Sequence, residues 1–442
     1  MAKQSSIKTP AMEYGRDGET PPAISNRRAS RIPYPDEQKK IKDIERTEEE
    51  RKWLSSWRLL NHSATPLWSL PKLAATLGIA QLRVKDESKR SPLASFKALG
   101  APIALIRLIL RLYPERSFEP AAILAGRYQD DLRALTVITA TDGNHGRALA
   151  AAAQSSGCRC VIVLHARVST EREQAIAAFG AEIVRVAGNY DASVKEAARL
   201  AATNGWHVVS DTSYSGYEDV PGDIMRGYGI ISQEIIEQIS DPAGQPFTFT
   251  HIFLQGGVGA LPAGVLDYLW KFYGPRRPTS VIVEPRQADC LYQSAHLDRA
   301  AHASGAIDSI MAGLACGEAS PLAWQVLRVS ADYFMTVEDS DATTAMRQLA
   351  AGNGQDVPIV AGASGAAGLA GLQVACGNQP LRAMFGLNEH SHVLVINTEG
   401  DTAPSIYQTL VGESGQSVLA RQSSRQSGHR PSDQACLPMA HG

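Results

Sequence analysis

An α/β fold of two open, mainly parallel sheet lobes, with helices on both faces and a cleft between them, is the architecture this sequence predicts. Three observations carry the expectation. Short β-branched runs alternate with Ala-rich helical runs through the body of the chain. Most of the apolar runs end at polar or Gly-rich residues, where ligands of such sheets collect. At 442 residues the chain is also too long for a single compact core.

The clearest stretch runs from Leu135 to Ser210. TVITA (136–140) reads as a strand, followed by a helix from His145 to Gln154. CVIVL (160–164) is a second strand with a helix over Thr170 to Phe179 behind it, and EIVRV (182–186) a third with a helix over Ala192 to Thr203. WHVVS (206–210) is the fourth. Strands joined by helices of this length form right-handed βαβ units whose sheet is covered on both faces. HIFLQ (251–255), SVIVE (280–284) and HVLVINT (392–398) repeat the style in the second half. The Pro-, Ser- and charge-rich residues 1–50 read as disordered or weakly helical, and the Ser/Gln/Arg-rich residues 412–442 as a disordered tail.

The formal net charge of -2 gives no basic surface for nucleic acid or anionic lipid. The sequence has no run of 18 or more apolar residues to span a bilayer, and the N-terminus lacks the apolar core of a signal peptide. The six cysteines, at 158, 160, 290, 316, 376 and 436, are scattered and lack zinc-site spacing. They read as free thiols of a cytoplasmic protein, with no metal site expected.

Four segments hold residues suited to chemistry. In the first, a strand-like LRVKDE leads to SFKALG, placing Lys97 at a helix N-terminus, where the dipole disfavours an ammonium. A lysine of lowered pKa is what covalent attachment to a carbonyl needs, although the spacing alone favours a solvated lysine on a helix. In the second, TATDGNHGRALA, Gly143 and Gly146 flank Asn144 and His145 in a tight strand-to-helix turn. There Asn144 could donate to a ring oxygen and Asp142 serve as acid or base, or both could simply cap the helix; His145 reads as structural.

The third segment, QGGVGALPAG, follows HIFLQ directly, and its Gly256, Gly257, Val258, Gly259 and Ala260 would let backbone amides approach a phosphate. Its spacing matches neither the dinucleotide nor the P-loop fingerprint. The fourth, VINTEGDT, ends a buried strand at Asn397, Thr398, Glu399 and Asp401; a hydroxyl there could meet a ring nitrogen, and an acceptor-rich turn is the plainer reading.

Taken in order, these segments resemble the fold-type II pyridoxal-phosphate (PLP) enzymes of the tryptophan synthase β and threonine dehydratase group. VKDESKR with FKALG, TDGNHGR, SDT with GYEDVPGDIMRGY, MAGLACGE and TEGDT resemble the diaminopropionate ammonia-lyase family more narrowly, over roughly residues 55–411. The resemblance implies pyridoxal 5'-phosphate in the cleft, covalently carried by Lys97, with Asn144 on its phenolic oxygen. It puts the phosphate on Gly256 to Ala260, and Thr398, or else Asn397, at the pyridine nitrogen. Asp142 and Asp211 fall on the two acidic positions around the substrate.

The same resemblance implies a small-molecule amino-acid substrate, a homodimer, and a division into a larger PLP-binding domain (51–95 and 230–411) and a smaller one (96–229). The implied reaction is α,β-elimination of D- or L-2,3-diaminopropionate to pyruvate and ammonia. A serine/threonine dehydratase shares most of these motifs, and a PLP-binding protein without catalysis is a third reading. The sequence departs from the family twice, with Ala363 where Gly-Glu-Ser-Gly-Ala is usual and with Tyr214 where Trp is expected.

Overall fold

A computed structural model describes residues 22–36, 38, 46–141, 143–188, 190–239 and 248–428. Its strands form two sheets, as the alternating pattern predicts. The larger sheet contains β1 (Ala23–Ser25), β2 (Leu67–Ser69), β3 (Gln81–Asp86), β8 (His251–Gln255), β9 (Thr279–Pro285), β10 (Tyr333–Val337) and β11 (His392–Asn397), in the order β1-β10-β9-β8-β11-β3-β2. Its five central strands run parallel, and only the edge strands β1 and β2 are antiparallel. The smaller sheet, all parallel, contains β4 (Thr136–Ala140), β5 (Arg159–His165), β6 (Glu182–Val186) and β7 (His207–Val208), in the order β6-β5-β4-β7.

Among the helices are α1 (Thr47–Leu54), α2 (Lys97–Leu112), α3 (Asn144–Ser156), α4 (Thr170–Ala177), α5 (Tyr190–Asn204), α6 (Asp219–Ile239), α7 (Ala260–Tyr273), α8 (Ala363–Gly377) and α9 (Gly415–Gly428). Strand β4 is buried at every residue because α3 and α5 both pack on it. Val137, Ile138, Ile162 and Val163 are fully buried, and each such side chain contributes about 1.5–3 kcal/mol of transfer free energy. Helix α6 lies along α2 and α7, joining the second half of the chain to the Lys97 helix.

The described residues near both ends, 22–36 and 415–428, are more structured than composition suggests, and residues 1–21 lie outside the described residues. Ala23–Ser25 pair with Tyr333–Met335 of β10, and the Asn26 amide donates to the carbonyls of Arg328 (2.9 Å) and Ala331 (2.7 Å). Tyr34 donates to Asp267 at 2.9 Å. Pairing of this kind uses backbone and polar side chains, so it leaves no apolar period to detect. Of the tail expected to be disordered over 412–442, Gly415–Gly428 instead form α9, with Val418 and Gln422 buried, and residues 429–442 lie outside the described residues. Side chains anchor it to backbone carbonyls: Gln422 to Pro358 (2.7 Å), Arg421 to Ala350 (2.7 Å) and Arg425 to Gly354 (2.9 Å).

Candidate active site

Lys97 owes its position to the turn after β3. The Asp86 carboxylate accepts from the Ser88 hydroxyl (2.6 Å), Trp68 (3.0 Å) and the Asn397 amide (2.8 Å), tying the ends of β3 and β11 together. The chain then crosses to the TEGDT loop, where Gly400 N–H donates to Ala94 (2.9 Å) and Phe96 N–H to Thr398 (3.1 Å). Helix α2 starts at the next residue, so Lys97 stands beside Thr398 at the wall of an open cleft of about 890 Å³.

The Lys97 amine is 2.6 Å from the Asp211 carboxylate, with its Nζ 5.0 Å from the ring centre of Phe96 and 5.7 Å from that of Tyr228. This environment reverses the expected pKa. Burial alone would depress it, but the Asp211 charge and the Tyr228 phenol outweigh burial and the helix end, and hold the amine above its ordinary value. Asp211 moves the opposite way: burial would raise it, and the charge and hydrogen bond of Lys97 bring it well below the usual carboxylate range. In this structure Asp211 therefore serves the lysine.

Across the cleft, the Thr141 hydroxyl accepts from the amides of Gly143 (3.1 Å) and Gly146 (3.2 Å) and closes the turn into α3. Asn144 is the first residue of α3 and does not cap it; its amide donates to Glu399. His145 is buried with Nε2 2.8 Å from the Val209 carbonyl, which can only accept, so the imidazole bears its proton there. Burial lowers its pKa and keeps it neutral. Asp142 lies outside the described residues.

The third wall is the loop between β8 and the 14-residue α7. Gly257 (φ +63°) and Gly259 (φ +100°) take the left-handed conformation that side chains resist, and a Cβ at Gly259 would press within 3.0–3.3 Å of Ala323, Leu327 and Leu291. Gly256 to Ala260 thus lead into the open N-terminus of a long helix, a cradle suited to a phosphate. Thr398 closes the cleft opposite, and the neighbouring Asn397 side chain is committed to Asp86 and to Val360 (2.9 Å). An amine, an amide-lined anion cradle, a side-chain amide and a hydroxyl in one cleft fit pyridoxal phosphate.

Three residues without a role in the sequence reading belong to this constellation. Glu399 accepts from Asn144, from the Ser364 amide (3.2 Å) and from Thr402 (3.2 Å), joining the Asn144 turn to the start of α8. Ser364 in turn accepts from Gly313 N–H at 3.0 Å. The missing acid at Ala363 was the available signal, because Glu399 is the carboxylate that meets that helix end. Ala363 itself borders a small second cavity with Asp401 and Tyr407. The third, Tyr228, comes from α6. Tyr214 is half exposed and stacks on Tyr217, with ring centres 4.8 Å apart.

Residues 59–399 match the family model for pyridoxal-phosphate dependent enzymes. Among curated proteins, diaminopropionate ammonia-lyase of Escherichia coli K12 is 40% identical over 368 residues, covering 82% of this chain and 90% of that protein. The protein of the same name from Salmonella typhimurium LT2 is 37% identical over 362 residues, with 80% and 89% covered. Among solved structures, holo diaminopropionate ammonia lyase from Escherichia coli superposes with a TM-score of 0.78 at 36% identity, covering 88% of this chain and 96% of that one.

Proposed function

This chain belongs to the pyridoxal-phosphate dependent enzymes and, among them, to the diaminopropionate ammonia-lyases, and from that premise we infer that it eliminates ammonia from 2,3-diaminopropionate. One water and one diamino acid give one pyruvate and two ammonia. The observation that carries the reading is the Lys97 amine, paired with Asp211 and facing the cleft floored by the Gly256–Ala260 loop.

Bound pyridoxal phosphate supplies the electron sink that lets the substrate's α-carbon give up its proton. The chain's residues divide the remaining work. Lys97 would hold the group covalently, Gly256, Gly257, Val258, Gly259 and Ala260 its phosphate, Asn144 its phenolic oxygen and Thr398 its pyridine nitrogen. Once free, Lys97 is the base for one face of the α-carbon, and as an ammonium, which Asp211 favours, it can protonate the departing β-amine. Asp142 would serve the opposite face and so the opposite enantiomer. Asp211 keeps the lysine's proton in place and adds negative charge where the substrate carries a second ammonium.

A panel of D- and L-diaminopropionate, serine and threonine, read as pyruvate, 2-oxobutyrate and ammonia, tests this assignment. Diaminopropionate should be turned over fastest; full activity on serine with none on diaminopropionate would establish the dehydratase instead. Asp142→Asn should lower kcat about 10²- to 10⁴-fold for one enantiomer and far less for the other. Equal losses would end the two-face scheme. We also infer a homodimer, to be checked by light scattering at assay concentration. We also infer a cytoplasmic location, the reading that the scattered cysteines of the sequence support.

A further inference from the structure

Tyr228 is buried completely on α6, 131 residues after Lys97, yet its ring lies against the first turn of α2. Gly100 makes that possible. A Cβ at this position would come within 2.7 Å of the Tyr228 Cε1 and 2.9 Å of its Cζ, so any larger residue would push the phenol away. Gly100 is one helical turn beyond Lys97 and on the same face, and the ring that fills its place reaches the lysine. Phe96 closes the other side, its ring centre 4.7 Å from that of Tyr228. The buried Tyr228 oxygen makes no hydrogen bond within ordinary distance, and the phenol and the Lys97 amine each shift the other's proton affinity. A buried hydroxyl is rarely left without a partner, and of the two charged groups that act on this phenol, Lys97 and Asp211, the Lys97 amine is the donor it can accept from.

We propose that Tyr228 is a positioning residue for Lys97: its hydroxyl accepts one ammonium N–H while Asp211 accepts another, which leaves the third directed by geometry. The proposal rests on Lys97 being the reactive amine. It gives Gly100 and Tyr228, in the motifs FKALG and GYEDVPGDIMRGY, a shared role. The groups that face the amine are then Asp211, His145 from α3 and Tyr228 from α6. Of these, only the phenol can through one atom both accept from an ammonium and donate to a free amine.

The test compares the full-length parent chain with Tyr228→Phe, which keeps the ring and removes only the oxygen. Two rates are measured. The first is attachment of pyridoxal phosphate to chain stripped of it with hydroxylamine and dialysed, followed by visible absorbance at one mildly alkaline pH. The second is turnover of the reconstituted enzyme. Losing an acceptor for the ammonium frees more neutral amine, so attachment should quicken about 3- to 10-fold, the upper value corresponding to about one pKa unit. Turnover should move the other way, with kcat falling about 10-fold and KM changing less than about twofold.

Gly100→Ala, which displaces the ring without touching the oxygen, should move both rates in the same directions as Tyr228→Phe. A role in packing alone predicts no change for Tyr228→Phe, and damage to the fold predicts that both rates slow together; either result overturns the proposal. Borohydride fixation of the parent on another lysine would remove the premise, and peptide mapping of the fixed chain separates that failure from the others.

Discussion

Lys85 and Lys97 are twelve residues apart in one strand-turn-helix segment, and each points a buried amine at a carboxylate, 2.7 Å from Glu234 and 2.6 Å from Asp211. The resemblance ends there. All three protons of the Lys85 ammonium are taken, by Glu234, the Thr65 carbonyl (2.8 Å) and Gln238 (3.0 Å). Arg90 and Glu87 complete a closed network, with Arg90 donating to both Glu87 and Glu234. Lys97 has one carboxylate, two aromatic faces and a partly open side facing the cleft. Burial and an acidic partner are therefore common to a structural and a reactive lysine. What separates them is how many of the amine's positions the protein leaves unfilled, and whether a ligand can reach them.

The largest expected effect tests the reactive side. Lys97→Ala should abolish the fixable pyridoxal phosphate label and lower turnover about 10⁴-fold or more, with a smaller change in urea midpoint than the next variant shows. Retention of turnover would erase the distinction between the two lysines.

Glu234→Gln should do the reverse. It leaves Lys85 and Arg90 sharing Glu87, and breaking a buried pair costs about 3–5 kcal/mol of stability. In chain that remains folded, kcat should change less than about twofold. A large loss of kcat with unchanged stability would move Lys85 into the catalytic apparatus.

The smallest effect is in the acid limb of stability. Arg90 and Lys85 outweigh the burial that would raise the Glu234 carboxyl and bring it down to about 2. A carboxylate whose folded pKa is depressed contributes stability above its unfolded value, about 4.3, and that contribution is lost as pH falls toward the folded one. Unfolding free energy should thus fall with acidification between about pH 4 and pH 2, less steeply in Glu234→Gln than in the parent. Parallel slopes would mean that the network carries no such linkage.

The site and the fold were legible to different degrees. Strands such as TVITA and CVIVL declare themselves because a sheet covered on both faces buries successive positions and favours continuous β-branched and apolar runs. Lys97, Asn144 and the glycine loop are visible because their neighbours are short, local motifs. Tyr228 was hidden: its encounter with Lys97 depends on α6 crossing α2, and a tyrosine within an apolar helix carries no mark of what it touches. The direction of the Lys97 pKa is hidden for the same reason, since the helix end is local and Asp211 is distant in sequence. Helix α9 escaped notice because arginine and glutamine side chains on backbone carbonyls, rather than an apolar stripe, hold most of it.

The short β1 strand has a consequence for solution behaviour. Without it, β10 would present a row of free backbone donors and acceptors along the rim of a seven-stranded sheet. Such a rim recruits strands from other molecules. Three residues of β1, clipped in place by Asn26, occupy that rim and make it unavailable for self-templating. Trimming the chain to residue 27 would remove the seal while leaving the cleft intact, so the shortened enzyme should aggregate over hours of storage at concentrations where the parent stays clear. The first catalytic motif begins far downstream, yet shelf life would be decided here.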